Sequence, residues 1–259
     1  MADFQIGDGC NIAYDHQVKE GARTLVLAHA LGTSRALFDP QVAALSQHFS
    51  ILRYDMRGHG ASDAPVGAYS IDRLGRDLIE LLDHLSLEDV DLAGVSLGGM
   101  IGQWVGYRLP ERFGRLVLAN TSAAMLPPSA WDERIRATFD GGMEPMVAPA
   151  LERWFTPGFL EAKPQAAEEV ASLIRRTPAA GYAGCCAAIR DMDMRRTAEL
   201  IACECLVLYG EHDPATPPDQ AHHLISTIPN ARGKALQAAH LANVEQPAAF
   251  TAALLEFLI

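Results

Sequence analysis

Five apolar runs of strand length, none of them alternating, limit what this chain can fold into. They are TLVLAHA (24–30), FSILRYD (49–55), VDLAGVS (90–96), GRLVLAN (114–120) and CLVLYGE (205–211), with a weaker sixth, GKALQAA, at 233–239. A strand wet on one face alternates apolar and polar residues; a parallel strand buried on both faces does not. Helical patterns alternate with these runs. SIDRLGRDLIELLDHL sets Leu74, Leu78, Leu81, Leu82 and Leu85 on one stripe behind Ser70 as N-cap, and QPAAFTAALLEFLI opens with Pro247 in its first turn. Strand and helix in alternation predict an α/β chain, with a mostly parallel, doubly wound sheet covered on both faces. Ahead of it, FQIGDGCNIAYDHQ reads as a hairpin turning at Asp8-Gly9.

The rhythm fails between about residues 121 and 200. This stretch lacks strong strand runs, is rich in Pro and Ala, and holds Met125, Met143, Met146, Met192, Met194, Trp131 and Trp154. It reads as a helical cap, residues 121–200, inserted over one end of a core formed by residues 1–120 and 201–259. At 49% hydrophobic and 20% charged, the 259 residues suffice for a sizeable core. The formal net charge of -11, with no Lys/Arg run, argues against nucleic acid or an anionic membrane as partner. An anionic substrate would need a local Arg cluster against that field. The 5 cysteines are odd in number and show no zinc-type or thioredoxin-type spacing, so they read as reduced, mostly buried thiols. MADFQIGDGC lacks the basic start and apolar stretch of a signal peptide, and no apolar run approaches the roughly 18 residues of a membrane span. A cytoplasmic chain is expected.

One turn carries the chemistry. In DLAGVSLGGMIG (91–102) an apolar strand gives way to a helix at Gly94-Val95-Ser96-Leu97-Gly98. A simple capping serine would not need glycine on both sides, whereas a sharp turn that projects a hydroxyl needs small neighbours. The helix N-terminus then supplies free N–H groups and partial positive charge near a developing oxyanion. G-x-S-x-G between strand and helix is the nucleophile elbow of α/β-hydrolases. Gly98, Gly102 and Gly106 also give the helix a bare face for close packing on the strands. A nucleophilic serine needs a base, and the base an orienting acid, in the chain order Ser, Asp or Glu, His. Asp213 follows a strand in VLYGEHDPATPPDQ, with Glu211 as its rival, and His240 follows the last strand in LQAAHLANVEQP. His59 reads as a loop-holding residue, and His222 and His223 as outward-facing on a helix. No H-x-H-x-D-H cluster is present, so no metal is expected. The oxyanion hole calls for two backbone N–H groups, from Leu97 and, in AHALGTS, from Leu31.

GVSLGGMIGQWVGYRLPERFGRLVLANTSA, RYDMRGHGASD, LERWFTPGF, GYAGCCAAIRDMD and GEHDPATPP together resemble the 3-oxoadipate enol-lactonases of bacterial aromatic catabolism, over almost the whole chain and including the cap. The resemblance implies a cofactor-free lactonase of the β-ketoadipate pathway that opens 3-oxoadipate enol-lactone to 3-oxoadipate. It matches Ser96 to the nucleophile, Asp213 to the acid and His240 to the base. The implied partner is a small anionic lactone, whose carboxylate an arginine could clasp. Arg134, beside Trp131, and Arg190 are the candidates. One departure stands out: His29 replaces the Ser or Asn of many members, which would alter substrate range if it lined the pocket. The alternatives are a carboxylesterase or other lactonase on the same scaffold, because fold and triad do not set substrate, and a small-ligand receptor without turnover. Dehalogenases and epoxide hydrolases would carry Asp in place of Ser96.

Overall fold

Each apolar run becomes a strand in the computed structural model, which describes residues 2–259. Strands β1 (Ala2–Gln5) and β2 (Asn11–Gln17) form the hairpin; β3 (Thr24–Ala28), β4 (Ser50–Tyr54), β5 (Val90–Val95), β6 (Phe113–Ala119), β7 (Glu204–Gly210) and β8 (Ala231–Leu236) follow. They build one eight-stranded sheet in the order β1-β2-β4-β3-β5-β6-β7-β8. Pairing is antiparallel between β1 and β2 and between β2 and β4, and parallel from β4 to β8. Every residue of β3 and β5 is buried, the physical reason their sequences do not alternate. Strand β8 begins at Ala231 rather than Gly233. As an edge strand it tolerates Arg232 and Lys234, both outside the apolar run that marks the rest.

Helices α1 (Asp39–Leu45), α2 (Ile71–His84) and α3 (Leu97–Arg108) lie between the early strands. Helices α4 (Pro128–Gly141), α5 (Glu144–Trp154), α6 (Pro157–Ala162), α7 (Pro164–Arg176) and α8 (Ala179–Asp191) fill the interval between β6 and β7, and α9 (Pro218–Thr227), α10 (Ala242–Glu245) and α11 (Pro247–Leu258) complete the chain. Helix α2 starts as its sequence demands: the Ser70 hydroxyl accepts the Arg73 N–H at 3.1 Å, and Leu74, Leu78, Leu81 and Leu82 are buried. Helix α3 packs through its glycines. A Cβ on Gly98 would strike the Ala28 carbonyl of β3, and one on Gly106 would lie 2.7 Å from Leu116 of β6.

The strand order reverses at β3, since β4 lies on one side of it and β5 on the other. In parallel α/β sheets such a switch opens a crevice at the carboxyl ends of the strands. The segments that follow β3 and β5 are the ones bearing Leu31 and Ser96. Among the described residues no helix is long and apolar enough to cross a membrane.

Helix α8 meets the core backbone to backbone. A Cβ on Gly58 would lie 2.5 Å from the Gly181 Cα, and the Tyr69 N–H donates to the Gly184 carbonyl at 3.0 Å. The glycines of GYAGCC thus dock the 121–200 segment. Gly181→Ala is expected to cost about 1–3 kcal/mol through overpacking, at about 2–4 °C of Tm per kcal/mol in a chain of this size. A thermal scan checks it, and an unchanged Tm would show that the contact yields freely.

Candidate active site

Ser96 sits between β5 and α3 with φ 55 and ψ -112, a conformation L-residues avoid. Three hydrogen bonds hold it there. Its N–H donates to the Ala119 carbonyl at 2.9 Å, and its carbonyl accepts the Thr121 hydroxyl at 2.8 Å and the Met100 N–H at 3.0 Å. The glycines are obligatory for a second reason: a Cβ on Gly94 would collide with the Gly98 backbone across the turn.

Asp213 follows β7 and His240 follows β8, at the same sheet end. The His240 Nδ1–H donates to Asp213 Oδ2 at 2.8 Å, and both side chains are at most 4% exposed. That bond fixes the tautomer and leaves Nε2 unprotonated, as a general base requires. Asp213 is satisfied on both oxygens. Oδ1 accepts the N–H groups of Ala215 and Thr216 at 2.8 and 2.9 Å; Oδ2 also accepts the Thr216 hydroxyl at 2.8 Å and the Asn120 amide at 3.0 Å. Burial pushes this carboxyl up, but the His240 ring and these donors outweigh it and hold it below its ordinary value. Sequence alone does not single out Asn120 or Thr216. The one signal for Asn120 is its place immediately past β6, at the strand end where ligand-facing residues collect. Its amide also donates to the Ala239 carbonyl at 3.1 Å, so one side chain ties the acid to the histidine loop.

Ser96 and His240 line one cavity of about 210 Å³ with Leu31, Met100, Trp131, Arg134, Arg153, Trp154, Ile189 and Thr216. No hydrogen bond joins the Ser96 hydroxyl to His240 among the described residues; such contacts commonly tighten only around substrate. The N–H groups of Leu31 and Leu97 have no protein acceptor among the described residues, and Leu97 is the first residue of α3. A wider cleft of about 430 Å³, lined by Asp15, Arg35, Arg53 and Asp55 among others, contains none of the Ser96 group, so the chemistry belongs to the smaller cavity.

Two of the three side chains expected to contact substrate line that cavity. Trp131 is buried, and the Arg134 guanidinium lies 4.6 Å from its ring centroid. Arg190 does not line it. It is bound to Asp132 at 2.7 Å and to Asp191 at 2.7 Å, a surface ion-pair cluster that uses up its charge. The guanidinium that does line the cavity beside Arg134 is Arg153, from LERWFTPGF. Neither Arg134 nor Arg153 makes an ion pair among the described residues. Burial and the neighbouring Arg134 charge hold Arg153 below its ordinary value, although a guanidinium remains charged throughout. Two unneutralised cations therefore face the cavity of a chain whose net charge is -11.

His29 does not line the pocket either. It is fully buried, and its Nε2 accepts the Met56 N–H at 3.0 Å, so the condition under which it would alter substrate range by contact is not met. His59 does hold a loop, its Nε2 accepting the Gly32 N–H at 2.9 Å. His222 is exposed on α9, whereas His223 is half-buried. Glu211, the rival acid, is exposed and bound to Gln237. The 5 cysteines are free thiols, all buried except Cys203, which is half-buried.

The fold and this site define a hydrolase, and the chain belongs to the α/β-hydrolase family: the family model described as alpha/beta hydrolase fold matches residues 23–161. Within that family it falls with the 3-oxoadipate enol-lactonases. The chain is 39% identical to 3-oxoadipate enol-lactonase 2 of Acinetobacter baylyi over 226 residues, 87% of this chain and 85% of that one. The solved enol-lactonase of Burkholderia xenovorans superimposes with a TM-score of 0.97 at 36% identity, covering 99% of both chains. A solved hydrolase from Pseudomonas aeruginosa also gives 0.97, at 40% identity, covering 99% of this chain and 97% of its own.

Proposed function

We propose that this hydrolase opens 3-oxoadipate enol-lactone to 3-oxoadipate through an acyl-enzyme on Ser96, as a step of aromatic catabolism. One observation carries the reading beyond the family: Ser96 and His240, the latter backed by Asp213, share a small cavity with two guanidiniums, Arg134 and Arg153, that lack a carboxylate partner among the described residues. A half-buried cation without a carboxylate partner favours an anionic ligand, and the cavity suits a small acid rather than a long acyl chain. Residues 121–200 act as a cap, contributing Trp131, Arg134, Arg153 and Ile189 to the walls.

In this mechanism the Ser96 hydroxyl attacks the lactone carbonyl while His240 Nε2 takes its proton, and Asp213 stabilises the imidazolium that forms. The Leu31 and Leu97 amides receive the oxyanion. The C–O bond of the ring breaks and expels an enolate, a better leaving group than an alkoxide, so proton donation from His240 matters less than in an ordinary ester. The enolate takes up the proton that His240 holds, which returns Nε2 to its basic form. His240 then deprotonates a water that attacks the acyl carbonyl, and the ester C–O bond to Ser96 breaks as His240 gives that proton back to the serine oxygen.

Loss of the enol-lactone's ultraviolet absorbance, followed beside turnover of a neutral aryl ester, tests the proposal. A kcat/KM of about 10⁴–10⁸ M⁻¹s⁻¹ on the lactone, well above that on the ester, supports it. Ester turnover with negligible lactone turnover discards the substrate and keeps the serine chemistry. Arg153→Met and Arg134→Met are each expected to raise KM for the lactone by about 10-fold or more, the effect of losing a charged hydrogen bond worth about 1.5–3 kcal/mol. KM for the neutral ester should move little. Equal losses on both substrates would refute the anion pocket.

A further inference from the structure

Two buried histidines outside the Ser96–His240–Asp213 set hold the peptide groups on either side of Leu31. The turn they grip runs from Ala30 to Thr33, with Gly32 at φ 73. Three donors converge on the Ala30 carbonyl: the His29 Nδ1–H at 2.8 Å, the Thr33 hydroxyl at 2.7 Å and the Thr33 N–H at 3.2 Å. In a planar trans peptide the carbonyl and the next N–H point in opposite directions. Donors pulling on the Ala30 oxygen therefore aim the Leu31 N–H away from themselves. The following peptide is caught at its other end, where the Gly32 N–H donates to His59 Nε2 at 2.9 Å.

Each histidine has its tautomer set by its own backbone partners. His29 Nε2 accepts the Met56 N–H at 3.0 Å, so its proton is on Nδ1; the His59 Nδ1–H donates to the Arg57 carbonyl at 3.3 Å, leaving Nε2 to accept. The rings pack edge to face with centroids 5.2 Å apart, and both residues are 0% exposed. Burial depresses both, His29 to about 4 and His59 to about 3, so both stay neutral and keep an acceptor on Nε2. Core packing alone would not require four backbone hydrogen bonds from two rings. The Leu31 amide they flank has no protein acceptor among the described residues.

We propose that His29 and His59 are positioning residues, an imidazole pair that orients the Leu31 amide as one half of the oxyanion hole. The role rests on the proposed acyl transfer at Ser96, but not on the lactone as substrate. The pair touches no reacting atom. It acts through the peptide it holds, so its removal should weaken the transition state and spare the binding of substrate.

The test uses a neutral aryl ester with the whole chain and its His59→Leu, His59→Gln and Thr33→Val variants, each checked for native circular dichroism. His59→Leu removes the acceptor for Gly32 and is expected to lower kcat about 10²–10³-fold, the loss typical of one oxyanion donor, with KM little changed. His59→Gln keeps a carbonyl acceptor within the site and should recover most of that loss. Inhibition by a trifluoromethyl ketone, whose Ser96 adduct places an oxyanion in the hole, should weaken in step with kcat. Thr33→Val, which removes one of the three donors to Ala30, should lower kcat about 10-fold. An unchanged kcat in folded His59→Leu, or equal losses in the Leu and Gln variants, overturns the proposal. Should His59→Leu fail to fold, full kcat in Thr33→Val overturns it instead. Failure of the underlying reading looks different: Ser96→Ala would then retain ester turnover.

Discussion

Ser96→Ala is expected to lower kcat on the enol-lactone by about 10⁶-fold, the loss seen when a triad nucleophile is removed, while about 10³–10⁴ of catalysis over water survives from the oxyanion hole and substrate binding. The fold should be unaffected. Ser96 is held by backbone hydrogen bonds to Ala119, Thr121 and Met100, and alanine keeps all three. Its Oγ makes no hydrogen bond that folding depends on among the described residues. Adding His240→Ala to Ser96→Ala should cost little more, because the two side chains act as one unit. Steady-state kinetics with a thermal scan separate the outcomes. A fall of less than about 100-fold at unchanged Tm would remove Ser96 from the mechanism and with it the acyl-enzyme.

The second large effect concerns stability rather than chemistry. Asp77→Leu is expected to destabilise the fold by about 3–5 kcal/mol, the usual result of breaking a buried ion pair from one side, out of about 5–15 kcal/mol in total. Arg57 binds Asp77 through two hydrogen bonds, Nε to Oδ2 at 2.5 Å and Nη2 to Oδ1 at 2.7 Å, with the side chains 5% and 2% exposed. Without Asp77, the guanidinium would keep only the half-solvated Asp8. Buried ion pairs as a class contribute little net stability, because desolvation offsets their attraction. Burial raises the Asp77 carboxyl above its ordinary value in spite of Arg57 and Arg73. A carboxyl raised on folding contributes stability that is present below its unfolded value and is lost as pH rises through the folded value. Arg57→Met combined with Asp77→Leu should therefore be less destabilised than Asp77→Leu alone, and should lose that acid-side contribution. Urea unfolding at two pH values measures both. A double variant worse than the single would show that the pair stabilises the fold outright.

Much of this site is legible in the sequence. Ser96 announces itself because the elbow needs glycine where neighbouring backbones meet. Asp213 and His240 follow from strand ends and chain order. The arginines divide differently. Arg134, Arg153 and Arg190 all belong to helices of the 121–200 segment whose periodicity is weak, so the direction of a long side chain is settled by neighbours far apart in sequence. Arg190 finds Asp132 across 58 positions of chain and spends its charge there. Arg153 finds no such partner and lines the cavity.

The same division holds for the histidines. His29 and His59 look alike in the sequence, one just past β3 and one in a turn, and nothing local says that they meet. Parallel pairing of β3 with β4 brings the loops after both strands together, and only then do the rings touch and the Gly32 amide find its acceptor. Sequence by itself determined the parallel sheet, the elbow and the strand-end placement of Ser96, Asp213 and His240, because these rest on backbone geometry and on apolar runs that each segment carries within itself. Tertiary structure alone decided which cations stay unpaired and which peptide the buried histidines hold, because charge neutralisation and hydrogen bonding depend on partners that the chain supplies only once it is folded.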